Sequence, residues 1–528
     1  MEIFPFKSHR SLTYAGRGMV ATSNHLAAGV GLDILRRGGN AIDAAIATAA
    51  ALTVLEPCSN GLGGDAFAIV WYKGKLYGLN SSGPAPLLSS ADSLRVKGFT
   101  EMPRFGWDTV TVPGIPAAWA ALQKHFGSFS LSESLEPAID YAKNGFAITP
   151  MVAASFASEA KKYRASNAPA LSGWFETFTP NGHIPQKGEI VYLPDHAASL
   201  HEIGLSDAES FYRGSLADKI DTFSQETGGT LRANDLAAFY PEWVEPISTD
   251  YRGFDIWELP PNGQGLIALS ALAILRAFSF DSWNELAIHH QIESLKLAAV
   301  DGYRYISDPD FMPIEAAHFL TEEYVTSRRA LISDVAIDPL PIELPRSGTV
   351  YLCTADEESM VSFIQSNYDG FGSGIVVPGT GIALQSRASC FSLEAGHINE
   401  LQPGKRPFHT IIPGFITRNG VPVGPFGVMG KFMQPQGHVQ LLSQLLDFGA
   451  NPQSALDAPR WCWESGRKVL VEPDFPPHMT ASLIKRGHEL VTANDIGLFG
   501  RGQVILRDAS GSLIGGTEPR ADGAVLGW

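Results

Sequence analysis

Apolar positions along the first seventy residues fall into short blocks whose spacing changes from one block to the next. Met19-Val20-Ala21-Thr22 is apolar and strand-sized. Across residues 27–37 the apolar side chains Ala27, Val30, Leu32, Ile34 and Leu35 recur at helical intervals, and Gly38-Gly39-Asn40 ends the run as a C-cap does. Ala41–Leu55 predicts a buried Ala-rich helix, thin enough for close packing. A Gly61-Leu62-Gly63-Gly64-Asp65 cluster and a strand over 66–72 follow. Helical periodicity dominates from about 115 to 330, with segments at 117–122, 135–144, 265–278 and 286–303. Then the period changes. Residues 349–355 and 360–366 flank the acidic turn Asp356-Glu357-Glu358-Ser359 as a hairpin, and Ile375-Val376-Val377 follows a Gly-rich stretch. Strand-like runs return at 410–417, 423–428 and 502–507, with a helical stretch at 437–447. Strands set between helical layers predict an α+β or layered α/β protein.

A length of 528 residues allows roughly three or four domains. A net charge of −16 argues against a nucleic-acid backbone or an anionic membrane as partner. The start, Met1-Glu2-Ile3-Phe4-Pro5-Phe6-Lys7, lacks the basic and apolar regions of a signal peptide. The longest apolar run, 44–55, has 12 residues, short of the roughly 20 that cross a bilayer. Cys58, Cys353, Cys390 and Cys462 show no CxxC spacing, so free thiols and a cytoplasmic location are expected. There is no HExxH, and His289-His290 inside one helical pattern reads as one core and one surface histidine; no catalytic metal and no cofactor are expected. The glycine cluster at 61–64 precedes a strand and lacks the Lys-Ser/Thr of a phosphate loop, so tight packing under a neighbouring site is the better account.

One dipeptide carries chemistry. A Pro-rich run (Pro339, Pro341, Pro345, then Arg346-Ser347) gives way at Gly348-Thr349 to the first strand of the predicted hairpin. Cleavage there would leave Thr349 with a hydroxyl nucleophile and an α-amine base in one residue, and Gly348 offers no steric obstacle. A free α-amine has a pKa of about 7.7–8.0, near neutrality, so it can take the hydroxyl proton. Gly-Thr also occurs at Gly229-Thr230, Gly379-Thr380 and Gly516-Thr517, so the surroundings decide.

Those surroundings resemble the γ-glutamyltransferase (glutathione hydrolase) family of N-terminal nucleophile (Ntn) hydrolases. The motifs are Gly18-Met19-Val20-Ala21-Thr22-Ser23, Arg37-Gly38-Gly39-Asn40-Ala41-Ile42-Asp43-Ala44-Ala45, and Glu56-Pro57 leading to Gly61-Leu62-Gly63-Gly64-Asp65. They continue with Val112-Pro113-Gly114, Phe371-Gly372-Ser373-Gly374, Pro403-Gly404-Lys405-Arg406-Pro407 and Ala458-Pro459-Arg460, in family order. The resemblance implies an α+β fold, a four-layer αββα sandwich made from two subunits of one precursor. Self-cleavage between Gly348 and Thr349 would give a large subunit, 1–348, and a small subunit, 349–528. It also implies Thr349 as nucleophile, and backbone oxyanion donors at Gln436 and Gly437, where Pro435-Gln436-Gly437-His438 replaces Pro-Gly-Gly-Ser. Asn367 falls near a family asparagine, with spacing to Phe371 one residue longer than in typical members; Ser366 or Gln365 is the alternative group to orient the nucleophile.

The pocket departs from the family. Ser82 stands where an arginine grips the α-carboxylate of a γ-glutamyl group, and Cys390 where an acid holds its α-ammonium. His409-Thr410 replaces a serine pair, and Arg387 a glutamine. A zwitterion needs both charges in its pocket; this set lacks the anion, while Arg387 could pair a carboxylate in bidentate fashion. Arg387 could equally be a structural ion pair, Cys390 an inert thiol and His409 a core histidine. The expected function is an amidohydrolase using Thr349 on a small carboxylate-bearing amide, oxamate-like or glutaryl-like. The alternatives are a true glutathione hydrolase or γ-glutamyl transpeptidase, and an unprocessed, inactive binding homologue.

Overall fold

In a computed structural model, which describes residues 10–166, 169–339 and 348–528, fourteen of the described strands form two seven-stranded antiparallel sheets, and the rest three small ones. The first runs, edge to edge, Ala524–Gly527, Met19–Thr22, Gly348–Ala355, Ser359–Tyr368, Asp65–Tyr72, Lys75–Ser81 and Glu242–Val244. The second runs Thr13–Ala15, Leu513–Thr517, Arg501–Arg507, Val421–Met429, Gly414–Arg418, Phe254–Glu258 and Ile247–Tyr251. Phe67, Ile69, Tyr351, Cys353, Met360 and Ile364 of the first sheet pack against Leu259, Phe415, Met429 and Ile505 of the second side, forming the inner layer. The helices Ala41–Leu55, Ile115–Phe126 and Leu131–Asn144 cover the first sheet's outer face. Gly265–Leu275, Glu285–Tyr305 and Met433–Leu446 cover the second's. The result is the four-layer αββα sandwich expected of an Ntn hydrolase.

Local signals account for the helices. Asn40 caps Ala41–Leu55 with a capping box closed by Asp43, and all 15 residues of that helix are buried. Its many alanines let it lie flat against the sheet. Period alone misled in the middle of the chain: Glu242–Val244, Ile247–Tyr251 and Phe254–Glu258 are strands inside a stretch read as mainly helical. Each is five residues or fewer, too short for a strong period. The hairpin is longer than its pattern, with strands Gly348–Ala355 and Ser359–Tyr368. The Met1–Lys7 start and the linker from 340 to 347, with Pro341, Pro345, Arg346 and Ser347, lie outside the described residues.

Both sheets take strands from before and after Gly348. Strand Gly348–Ala355 lies between Met19–Thr22 and Ser359–Tyr368, at the centre of the first sheet. Among the described residues no helix is long and apolar enough to cross a membrane.

Candidate active site

The site is set by an irregularity in the central hairpin. Gly348 pairs with Tyr368 and Val350 with Gln365, so Thr349 alone opposes Ser366 and Asn367. Such a bulge re-aims side chains. The Ser366 hydroxyl lies 3.0 Å from the Thr349 hydroxyl, and both hydroxyls donate to the Gly348 carbonyl at 2.8 Å. The Tyr368 N–H donates to Ser366 Oγ at 2.8 Å and fixes it. A hydroxyl held against its own upstream carbonyl, with a second donor on that oxygen, is suited to an N→O acyl shift. Among the described residues no imidazole or carboxylate hydrogen-bonds Thr349, so the triad itself holds no built-in base. Thr349 and Ser366 are both fully buried.

Asn367 points elsewhere. Its Nδ2 donates to the Ala383 carbonyl at 3.3 Å, and it packs under the glycine cluster. A Cβ on Gly64 would come within 2.4 Å of Asn367 Oδ1 and 2.5 Å of the Ser366 carbonyl. The cluster is therefore packing beneath the hairpin, and the residue opposite Gly348 is Tyr368. Gln436 and Gly437 lie near the start of helix Met433–Leu446. The Gln436 side chain brackets Trp463, donating to its carbonyl at 3.1 Å and accepting its N–H at 2.7 Å. Gly437 faces Val428, whose Cγ1 a Cβ there would meet at 2.6 Å. Neither side is turned to Thr349 by any hydrogen bond among the described residues.

The first sheet carries the site outward from Ser366. Its neighbour across the next strand pair is Asp65, and around Asp65 the remaining predicted residues gather. Asp65 accepts from Gln385 Nε2 at 2.8 Å, the Gly83 N–H at 3.2 Å and His409 Nε2 at 3.1 Å. Burial pushes its carboxyl up to about 7, while nearby Arg387 pulls it down. The His409 Nδ1 accepts the Ile411 N–H, so Nε2 carries the proton given to Asp65. Burial, reinforced by Arg387, holds His409 well below the usual histidine range. Ser82 donates to Asn80 Oδ1 at 2.7 Å and accepts from Asn262 Nδ2 at 3.2 Å, beside His409, whose N–H reaches the Asn262 carbonyl.

Arg387 is fully buried. Its Nη1 donates to Thr410 Oγ1 at 2.8 Å and lies 4.0 Å from Cys390 Sγ. The guanidinium sits 4.6 Å from the centre of the Tyr368 ring. Nε is 4.0 Å from Asp65 Oδ2, close enough for attraction and too far for a hydrogen bond. Nε and Nη2 have no hydrogen-bond partner among the described residues. They form one side-on edge, the edge a carboxylate takes in bidentate contact. Burial raises the Cys390 thiol, so no anion stands at that position.

Sequence patterns gave no notice of two neighbours. Lys431, in a left-handed conformation at φ 52°, places Nζ 3.7 Å from the Tyr368 ring centre and 2.6 Å from Asp369 Oδ1. Burial lowers the Lys431 ammonium against the pull of Asp369. Gln264 ties the Thr410 and Lys431 carbonyls together at 2.6 Å each. Tyr368 at a strand end and a lone lysine in a turn advertise nothing in sequence; the bulge brings them in.

Residues 27–528 match the family model described as Gamma-glutamyltranspeptidase. The chain belongs to this family. It is 35% identical to the "Glutathione hydrolase-like YwrD proenzyme" of Bacillus subtilis, over 96% of this chain and 98% of that one. It is 32% identical to the "Oxamate amidohydrolase proenzyme" of Klebsiella pneumoniae, over 97% and 98%. The structure also superposes on that of a cephalosporin acylase from Bacillus halodurans with TM-score 0.97 and 53% identity, covering 100% of this chain and 99% of that one. As a member of the γ-glutamyltranspeptidase family with amidohydrolase and acylase relatives, the chain is a hydrolase of amide bonds.

Proposed function

We propose that the chain is a self-processed amidohydrolase that uses Thr349 to hydrolyse small amides whose acyl part carries a free carboxylate and no α-ammonium. The observation that carries the substrate class is the open side-on edge of buried Arg387, beside the Tyr368 that pairs with Gly348. A buried guanidinium edge without a partner is costly, and a substrate carboxylate offsets that cost. No anion is left for an ammonium among the described residues of the site. Asp65 already faces Gln385, Gly83 and His409, with Arg387 nearby, and Asp369 is held by Lys431. The relatives named for oxamate and cephalosporin substrates support the class.

Processing runs within the triad. Thr349 Oγ attacks the Gly348 carbonyl carbon while Ser366 donates to its oxygen. The C–N bond breaks, the Thr349 nitrogen takes the proton, and the ester is opened by water to a Gly348 carboxylate and a free Thr349. The large and small subunits, 1–348 and 349–528, stay together. In turnover the α-amine takes the hydroxyl proton, Thr349 attacks the amide, the amine leaves, and water releases the acid. The oxyanion is held at the N-terminal turns of helix Met433–Leu446, after the Gly430-Lys431 turn and including Gln436 and Gly437, where the helix dipole is positive. Arg387 takes the substrate carboxylate, with Thr410 orienting it and His409, Ser82 and Cys390 shaping the wall.

Intact-mass measurement of the purified protein tests processing: two species splitting before Thr349 are expected, and a single uncut, inactive chain for Thr349→Ala. A wild-type chain that stays whole and turns over none of oxamate, glutaryl amides or glutathione would instead mark the inactive binding homologue.

A further inference from the structure

Away from Thr349, two histidines and a glutamate meet in the seam between the segments before and after Gly348. His289 and Glu293 stand one turn apart on helix Glu285–Tyr305, so they share a face, and His488 reaches them from just before strand Glu489–Thr492. All three are buried, and one ligand atom from each lies within 4.8 Å of the others. His290, next in sequence, leaves the cluster and stacks on Phe278 at 4.0 Å.

The ligand atoms are oriented from behind. His289 Nε2 lies 2.8 Å from the Ser333 carbonyl, which can only accept, so Nε2 carries the proton and the Nδ1 lone pair faces the cluster. A backbone carbonyl on the far nitrogen is the usual outer partner of a metal-bound imidazole. Glu293 Oε2 accepts the Ile337 N–H at 2.8 Å, which turns Oε1 inward. His488 Nε2 lies 2.8 Å from His289 Nδ1 and 3.9 Å from Glu293 Oε1, while its Nδ1 has no partner among the described residues. Moving the ring proton to Nδ1 frees Nε2 as a donor at the cost of a single hydrogen bond, the one to His289.

We propose that His289, Glu293 and His488 bind a divalent transition-metal ion of the zinc class, a structural ion stapling helix Glu285–Tyr305, with the arm at 333–337 behind it, onto the part of the chain that follows Gly348. Two imidazole nitrogens and one carboxylate oxygen suit such an ion, with water or another donor completing the shell. The backbone behind the ligands belongs to that arm, through Ser333 and Ile337. The same seam is held by Arg486 to Asp334 at 3.1 Å and by the Ala336 N–H to the Arg486 carbonyl at 2.7 Å. The ion has one competitor. Lys296 Nζ lies 2.8 Å from Glu293 Oε1 and also donates to the Ile337 carbonyl at 3.0 Å. Metal binding replaces the first contact and leaves Lys296 on the second.

Zinc retention after loading with zinc chloride and desalting, measured by elemental mass spectrometry, tests the proposal on the full chain. Wild type should retain one equivalent and melt at higher temperature with zinc than after chelation. The variants His488→Gln and Glu293→Gln, which remove or neutralise a direct ligand, should each weaken binding by about a hundredfold or more, beyond the roughly ten- to hundredfold cost of losing an outer partner. Lys296→Met removes the competing cation and should tighten it about tenfold, a gain that misfolding would not produce. Wild-type retention no higher than in a chelated control overturns the proposal. So does retention unchanged in both Gln variants, or binding seen only with Lys296→Met.

Discussion

At the scale of single residues, the proposed site couples the Thr349 hydroxyl, held by that of Ser366, to a cation short of hydrogen-bond partners. Ser366→Ala removes a donor from the Gly348 carbonyl and a contact from Thr349. A lost hydrogen bond of about 1–1.5 kcal/mol should slow processing roughly tenfold, read as the half-time of the uncut band, with melting temperature little changed. Arg387→Met should cut kcat/KM for a carboxylate-bearing amide about a hundredfold, mostly through KM, and Arg387→Lys should recover little because it cannot form the bidentate edge. Asp65 gives the pH dependence. Its folded carboxyl is raised to about 7 by burial, against Arg387's pull. The folded chain thus keeps this proton to higher pH than the unfolded chain, whose aspartates titrate near about 3.9. The stability it contributes is complete below that lower value and is lost as pH rises through 7. Asp65→Asn should flatten the fall in melting temperature over that window. Above pH 7 an ionised Asp65 also competes for Arg387, so KM should climb in wild type and stay level in Asp65→Asn.

At the scale of elements, the hairpin bulge and the glycine loop beneath it hold the geometry around Thr349. Gly64→Ala would push a Cβ into the Ser366 carbonyl and Asn367, so a loss of about 1–3 kcal/mol is expected in denaturant melts, together with slower processing. What sequence revealed here followed physical rules. The alanine-rich run marks Ala41–Leu55, and the acidic turn after Ala355 marks the hairpin, because composition and turns are local; the Asn40 N-cap shows only in the structure. Register is not local. Nothing in the residues 359–368 announces that two of them oppose Thr349, and of the sequence candidates Asn367, Ser366 and Gln365 it is Ser366 whose hydroxyl meets Thr349. Asp65 was visible only as the end of a glycine motif, and Lys431 and Tyr368 only through the fold. Arg387, Cys390, His409, Thr410 and Ser82 stand out by position in ordered motifs, and the structure gathers Arg387, His409, Thr410 and Ser82 in one buried polar region with half-buried Cys390 at its edge.

At the scale of the molecule, both sheets contain strands from both sides of Gly348, and Gly348–Ala355 sits in mid-sheet. Cutting before Thr349 breaks one peptide bond and no sheet. The two pieces should co-elute in size-exclusion chromatography and part only in denaturant. The family supplies the sandwich, while the proposed departure in specificity rests on the substitutions around Arg387. The most direct test compares acyl groups that differ only in the α-ammonium: kcat/KM for glutaryl and γ-glutamyl amides of the same amine, with oxamate as the short carboxylate amide. The account predicts that glutaryl amide or oxamate exceeds the γ-glutamyl amide by at least about tenfold, as expected where an ammonium is buried without a counter-charge. A γ-glutamyl amide turned over best would contradict it.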